Sequence, residues 1–380
     1  MHRNIQNKKI LVVSGHAESL LRFRGHIISK LLECNYKVFA TAPLSSQDLD
    51  YLRPLINKGL IVKNTPLNRT GLNILGDALY FFRIFFFVIR IKPDYLFTYN
   101  IKPVIYSGIV AWLLRVPHKF ALITGLGFAF TDDDNNKRLI QRLVAFLYHH
   151  SLKRMEKIFF QNSDDKNLFC SLNITSDERS LVVHGSGVDT DFYNVRPLPK
   201  SINFLLIARL VNNKGVREYI EAARIVRGFN PEVQFSLVGW SDKNIDSIKP
   251  GELSNWINDD GINFYGHLDD VRSALEKCSV YVLPSYREGT PRSTLEAMSM
   301  GRPIITTDTP GCRETVIDGE NGFLVPVKSV NDLAQAMMKF VDCPALIPKM
   351  GECSRQIAVN KYDVLKVNKY MLFEMKLCEK

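Results

Sequence analysis

The sequence predicts an α/β fold of two parallel-sheet domains, and three observations carry that prediction. The chain has 380 residues, 46% of them hydrophobic, enough for two separate cores. Short apolar runs rich in Val, Ile and Phe alternate with stretches of helical periodicity, the signature of strand–helix–strand units. Most of these runs end in a polar or glycine-bearing loop, as strands do whose carboxyl ends line one edge of an open sheet. Pro197-Leu198-Pro199-Lys200 reads as a linker, so the first domain is expected over residues 1–195 and the second over 199–361.

The first domain opens with Lys9-Ile10-Leu11-Val12-Val13-Ser14-Gly15-His16, a buried strand running into a glycine turn. A helical pattern over Leu20–Cys34 and a strand over Tyr36–Ala42 complete a β-α-β unit. Leu72–Ile91 is the most apolar stretch, but Asp77, Arg83 and Arg90 break it, so it is a poor membrane span. Two readings remain open for it: an amphipathic helix packed on the core, or an aromatic and basic helix lying on a membrane surface. Strands are expected at Tyr95–Tyr99 and Phe120–Ile123, with a helix over Ile105–Leu114 between them and loops at Asn100–Pro103 and Thr124–Gly127. Lys157–Asn162 and Ser180–Asp189 add two further strand-to-loop junctions.

In the second domain, Phe204–Ala208 reads as a buried strand and Arg209–Gly215 as a loop entering a helix over Val216–Arg227. Arg209 and Lys214 place two cations at a strand end beside a helix start, a geometry suited to a diphosphate. Strands at Gln234–Val238, Ile262–Tyr265, Val280–Leu283 and Pro303–Thr306 continue the sheet. After Val280–Leu283 comes Arg287-Glu288-Gly289-Thr290-Pro291-Arg292-Ser293-Thr294-Leu295-Glu296-Ala297, a loop passing into a helix. Glu288 in the loop and Glu296 on the helix stand eight residues apart and can grip two parts of one long ligand. Carboxylates accept hydrogen bonds from hydroxyls, so a ribose or hexose is a natural partner.

Charge and composition exclude several classes. Residues 1–198 hold 26 Lys and Arg against 16 Asp and Glu, whereas residues 199–380 hold 23 of each, so the net charge of +10 lies in the first half. A basic face attracts anionic lipid, phosphorylated substrates or nucleic acid, but no nucleic-acid-binding signature accompanies it, and no nucleic-acid partner is expected. Gly15 stands alone and the Gly125/Gly127 pair lacks its third glycine, so the dinucleotide fingerprint is absent and no cofactor is expected. Seven scattered Cys without a C-x-x-C suggest neither a disulfide framework nor a zinc site, and point to a reducing cytoplasm. The pairs Asp48/Asp50, Asp132/Asp134 and Asp189/Asp191 read as solvated turns, and no metal is expected.

A set of motifs gives a resemblance. Ala208–Val211 with Lys214-Gly215, Val238-Gly239, Tyr265–His267, Leu283–Ser285, Glu288–Pro291, Leu295–Met298, Gly301–Pro303 and Gly319–Val325 together resemble the retaining glycosyltransferases of family 4, which have the GT-B fold of two Rossmann-like domains facing across a cleft. His16 through Arg24, Ile101–Pro103 with Ile105-Tyr106, and Ile123–Phe128 are similar to the branch that builds O-antigen, capsule and N-glycan precursors on undecaprenyl diphosphate. A departure from that branch is the lack of a His near Lys102.

The resemblance implies transfer of a sugar, an N-acetylhexosamine such as GalNAc, from a UDP-sugar to an undecaprenyl-diphosphate-linked saccharide, with retention. It implies catalytic roles for Arg209, Lys214 and Glu288. Gly15, Gly289, Thr290, Pro291, Thr294, Leu295 and Glu296 would join them in holding the donor, and His16, Arg24, Lys102, Thr124 and Gly125 would hold the acceptor. The final helix, 362–380, would pack back on the first domain. The expected place is the cytoplasmic face of a bacterial inner membrane, bound peripherally to the anionic surface. Two alternatives stay open: a UDP-sugar 2-epimerase of the same fold, and a non-catalytic nucleotide-sugar-binding subunit.

Overall fold

The computed structural model describes residues 8–68, 71, 73–126, 138–241 and 246–378. Gly127, Phe128, Asp132 and Asp134 lie outside the described residues. The chain divides into two compact units, one running up to Ser186 and resuming at Leu365, the other spanning Gly187–Val364. This division falls ahead of the proline-rich segment expected to be the linker. The cause is local: Val188 pairs with Asp363 and Tyr193 packs into the core of the second unit, so residues 187–198 are held there.

The first unit holds seven strands: β1 (Lys9–Val13), β2 (Lys37–Ala42), β3 (Ile61–Asn64), β4 (Tyr95–Tyr99), β5 (His118–Ile123), β6 (Lys157–Phe160) and β7 (Ser180–Val182). All pair parallel in the order β3-β2-β1-β4-β5-β6-β7, which reverses direction between β1 and β4. Alternation sorts their side chains. Ile10, Val12, Tyr95, Phe97, Phe120 and Leu122 face one core, which Val367, Met371, Leu372 and Met375 of the helix Val364–Glu374 help to close. Leu11, Val13 and Leu96 face the opposite layer, under the helix Ile74–Ile91.

Two local expectations change. The helical pattern over 20–34 forms two helices, Ala17–Arg22 and Gly25–Glu33, broken at Phe23 and Arg24, where Arg24 turns inward with its guanidinium 5.4 Å from the centre of the Tyr99 ring. Asn100–Pro103 is not a loop, because the helix begins at Ile101. Pro103 sits in that helix's first turn, where backbone N–H groups have no partner within the helix and a proline costs nothing.

The second unit holds β8 (Asn203–Ile207), β9 (Gln234–Val238), β10 (Asn263–Phe264), β11 (Val280–Leu283), β12 (Ile304–Thr307) and β13 (Gly322–Val325), in the order β10-β9-β8-β11-β12-β13. Again every pairing is parallel, and the reversal falls between β8 and β11. Phe204 and Leu206 face the helices Val216–Phe229 and Val330–Asp342, while Leu205 and Ile207 face the helix Arg292–Ser299.

Candidate functional site

In the second unit the point of reversal brings the loops after β8 and β11 together, the place where open parallel sheets bind ligands. Their approach depends on Gly215, which has φ +67°; a Cβ there would stand 2.1 Å from the Pro284 carbonyl oxygen. Backbone bonds join the loops: Tyr286 N–H donates to Asn213 O at 2.9 Å, and Ser285 Oγ donates to the same oxygen at 3.1 Å. The joint sets Lys214 beside Glu288, and the two form an ion pair whose side chains are 17% and 15% exposed. Arg209 leaves the end of β8 exposed.

The helix Arg292–Ser299 carries the second acid. Glu296 is 1% exposed, not on a surface flank, and Arg292 Nε donates to its Oε1 at 2.9 Å. Arginine against a buried carboxylate gives it a hydrogen-bonding partner of opposite charge and fixes its direction. Thr294 is buried, and its Oγ1 finds no hydrogen-bond partner among the described residues, whereas the Leu295 side chain packs into the core. Glu288, Gly289, Thr290 and Pro291 fill the turn between β11 and this helix, whose first N–H groups favour an anion.

Three supports of this loop escape sequence reasoning. Glu288 N–H donates to Pro310 O at 3.1 Å, and Gly311, φ +79°, lies so close that a Cβ would stand 2.3 Å from Glu288 O. Tyr281 O–H reaches Ser293 Oγ at 2.6 Å and Ile207 O at 3.2 Å, tying β11 to the helix and to β8; burial pushes its phenol well above the ordinary range. The dipeptide Pro310-Gly311, beginning three residues after the end of β12, is the signal for Gly311 that the sequence carries. Nothing in periodicity marks Tyr281.

In the first unit the point of reversal gathers Gly15, His16, Thr124 and Lys102 around Asn100, a residue with φ +72° that the sequence did not single out. Gly15 N–H donates to Asn100 Oδ1 at 3.0 Å, and Asn100 Nδ2 donates to Thr124 Oγ1 at 3.3 Å. Ser14 Oγ accepts from His16 N–H at 3.0 Å. Lys102 Nζ is held by Asp77 Oδ1 at 2.8 Å and Asn68 O at 2.7 Å. Gly125 follows Thr124 with φ +148°. Arg24 is not among them at the edge, being buried beside Tyr99.

The acidic pairs have structural work. Ser45 and Asp48 form a capping box, Asp50 pairs with Arg53, and Asp189 Oδ1 accepts from the N–H groups of Asp191 and Phe192 at 3.2 and 2.9 Å.

Solved structures share this architecture. HepE of Anabaena in complex with UDP-glucose aligns over 97% of this chain and 99% of its own with a TM-score of 0.77 and 18% identity. Sucrose-phosphate synthase of Thermosynechococcus elongatus aligns over 96% and 97% with a TM-score of 0.74 and 17% identity. Two parallel-sheet α/β units with these neighbours make the fold GT-B, a fold of glycosyltransferases. Residues 201–342 match the family described as Glycosyl transferases group 1, so the second unit carries a domain of that kind. Among curated proteins the chain is 26% identical over 370 residues to the N,N'-diacetylbacillosaminyl-diphospho-undecaprenol alpha-1,3-N-acetylgalactosaminyltransferase of Campylobacter jejuni, covering 93% of this chain and 95% of the relative. It is 25% identical over 289 residues to the UDP-Gal:alpha-D-GlcNAc-diphosphoundecaprenol alpha-1,3-galactosyltransferase of Escherichia coli, covering 72% and 73%.

Proposed function

We propose that the chain transfers an N-acetylhexosamine, with retention, from a UDP-sugar to a hydroxyl of an undecaprenyl-diphosphate-linked saccharide. The observation that carries this reading is the Lys214–Glu288 pair at the reversal between β8 and β11, with Glu296 held by Arg292 on the following helix. Cations beside a sugar-binding carboxylate match a donor whose diphosphate departs. Arg209 and Lys214 neutralise the charge developing on the leaving UDP, and because they are already placed they need no reorganisation at the moment of reaction. A donor diphosphate takes over the Lys214 ammonium from Glu288, which frees that carboxylate to accept hydrogen bonds from sugar hydroxyls. Glu296 binds the ribose hydroxyls in the same manner.

The backbone of Gly289-Thr290-Pro291 lies against sugar and phosphate, and Thr294 supplies a hydroxyl from the helix's first turn. His16, Lys102, Thr124 and Gly125 serve the acceptor, and Gly15 the donor. Both relatives named above act on undecaprenyl-diphosphate-linked sugars, which supports the acceptor class.

Lys214→Ala and Glu288→Ala test the assignment. Each should remain folded and lose transfer by about 100-fold or more, the usual loss when one charge-stabilising or positioning group is removed. Near-normal rates in either variant would refute these roles.

A further inference from the structure

Arg24 is a buried cation with no role in the site described above, yet its surroundings lead back to that site. Between the helices Ala17–Arg22 and Gly25–Glu33 the N–H groups of Phe23 and Arg24 both donate to Ser19 O, at 3.1 and 3.2 Å. This break turns the Arg24 side chain inward, with its guanidinium 5.4 Å from the centre of the Tyr99 ring. Tyr99 is the last residue of β4 and is itself buried.

From Tyr99 a run of buried hydroxyls reaches the turn after β1. Tyr99 Oη lies 3.1 Å from Ser19 Oγ, which lies 2.8 Å from Ser14 Oγ. Both serine hydroxyls donate to His16 O, Ser19 at 2.7 Å and Ser14 at 2.9 Å, and Ser14 Oγ accepts from His16 N–H at 3.0 Å. A carbonyl only accepts, so with the Ser19 proton directed to His16 O it is Tyr99 that donates to Ser19. Burial raises the Tyr99 phenol above its ordinary range, while the two serines and Arg24 pull the other way. The phenol therefore keeps its proton at neutral pH, and the cation over its ring draws on the π-electrons and strengthens the O–H as a donor. Asn100, the next residue, accepts from Gly15 N–H at 3.0 Å. Two consecutive residues at the end of β4 thus hold the turn from Ser14 to His16, and His16 itself is exposed.

We propose that Arg24 and Tyr99 are positioning residues for transfer: cation and phenol fix Ser19 and Ser14, and these hold the Gly15-His16 backbone at the first unit's loop edge. The tie to transfer rests on the function proposed above, in which Gly15 serves the donor and His16 the acceptor; the hold on the turn does not.

The test reads turnover and hydrogen exchange on the full chain. Tyr99→Phe keeps the ring and removes one hydroxyl. The peptide containing Gly15 and His16 should then exchange about tenfold faster, the effect of losing one hydrogen bond of ordinary strength, while peptides from β2 and β5 keep wild-type rates. kcat for transfer to the lipid-linked acceptor should fall about tenfold or more, because a displaced turn misplaces the groups it carries. KM for the UDP-sugar should change by less than about threefold, since Lys214, Glu288 and Glu296 are untouched. Arg24→Met should repeat both effects, and Arg24→Lys, which restores a cation, should recover most of the lost turnover. Wild-type exchange in Tyr99→Phe, faster exchange with wild-type kcat, or equal losses in Arg24→Met and Arg24→Lys would each overturn the proposal. A wild type that transfers no sugar to any acceptor would instead fail the transferase reading, and exchange would still decide whether Arg24 and Tyr99 hold the turn.

Discussion

Gly311→Ala probes the loop that carries Glu288 without touching a ligand-facing side chain. A Cβ at this position would meet Glu288 O at 2.3 Å and Gly289 O at 2.4 Å, both backbone atoms of a turn that cannot give by rotating a side chain. Restoring ordinary contact requires the turn to move by about 1 Å, and a displacement of that size at a reacting group costs on the order of 100-fold in rate. The positive φ adds about 1–2 kcal/mol of backbone strain. Gly319 separates the two effects, since its φ of +78° is nearly the same and no atom lies within 4 Å of its would-be Cβ. Gly319→Ala should therefore lose about 1–2 kcal/mol of stability and keep its turnover. Gly311→Ala should lose a similar or larger stability increment and about 100-fold in turnover. Urea midpoints and UDP release with donor and acceptor present measure both quantities. Wild-type turnover in Gly311→Ala, or an equal loss in Gly319→Ala, would refute the reasoning.

Asp77→Asn should destabilise the first unit by about 3 kcal/mol, because it removes the carboxylate that pairs with the mostly buried Lys102 ammonium; an unchanged denaturation midpoint would contradict this. Arg217 holds the Glu252 carboxyl below its usual range, so its contribution to stability is present above that range and lost as pH falls through the lowered folded-state value. Glu252→Gln should flatten the acid limb of stability against pH, and an acid limb identical to the wild type would count against the pair. Burial pushes the Cys312 thiol up to about 11 and the Cys278 thiol up to about 12. With a maleimide at neutral pH, exposed Cys343 should react first and those two only on unfolding, as peptide mass mapping can show.

The two sheets were legible because β-branched runs ending at Gly15, Asn100, Thr124, Arg209 and Ser285 can hardly fold otherwise than as parallel strands with their loops on one edge. Arg209, Lys214, Glu288 and Glu296 were legible as residue types in sequence, but not as partners. The Lys214–Glu288 pair spans 74 residues and depends on Gly215 letting two strand ends meet, which periodicity does not encode. Glu296 looked like a surface acid because an i, i+4 Arg292 reads the same exposed or buried; only tertiary packing set it at 1% exposure. For the stretch Leu72–Ile91 the sequence left core packing and a membrane surface open, and only tertiary packing showed that Tyr80, Ile84, Phe87, Val88 and Ile91 enter a core. Asn100 and Asp77 hold the first unit's cluster through side-chain bonds to Gly15 N–H and Lys102, contacts made across the fold rather than along the chain.

The most direct test of the central claim is a donor screen: purified protein, a panel of UDP- and GDP-sugars, and undecaprenyl-diphosphate-linked GlcNAc or diacetylbacillosamine, with products read by mass. With a single UDP-sugar the lipid should gain one N-acetylhexosamine. Isomerised UDP-sugar formed without acceptor, or UDP binding with no mass gain on either lipid, would contradict it.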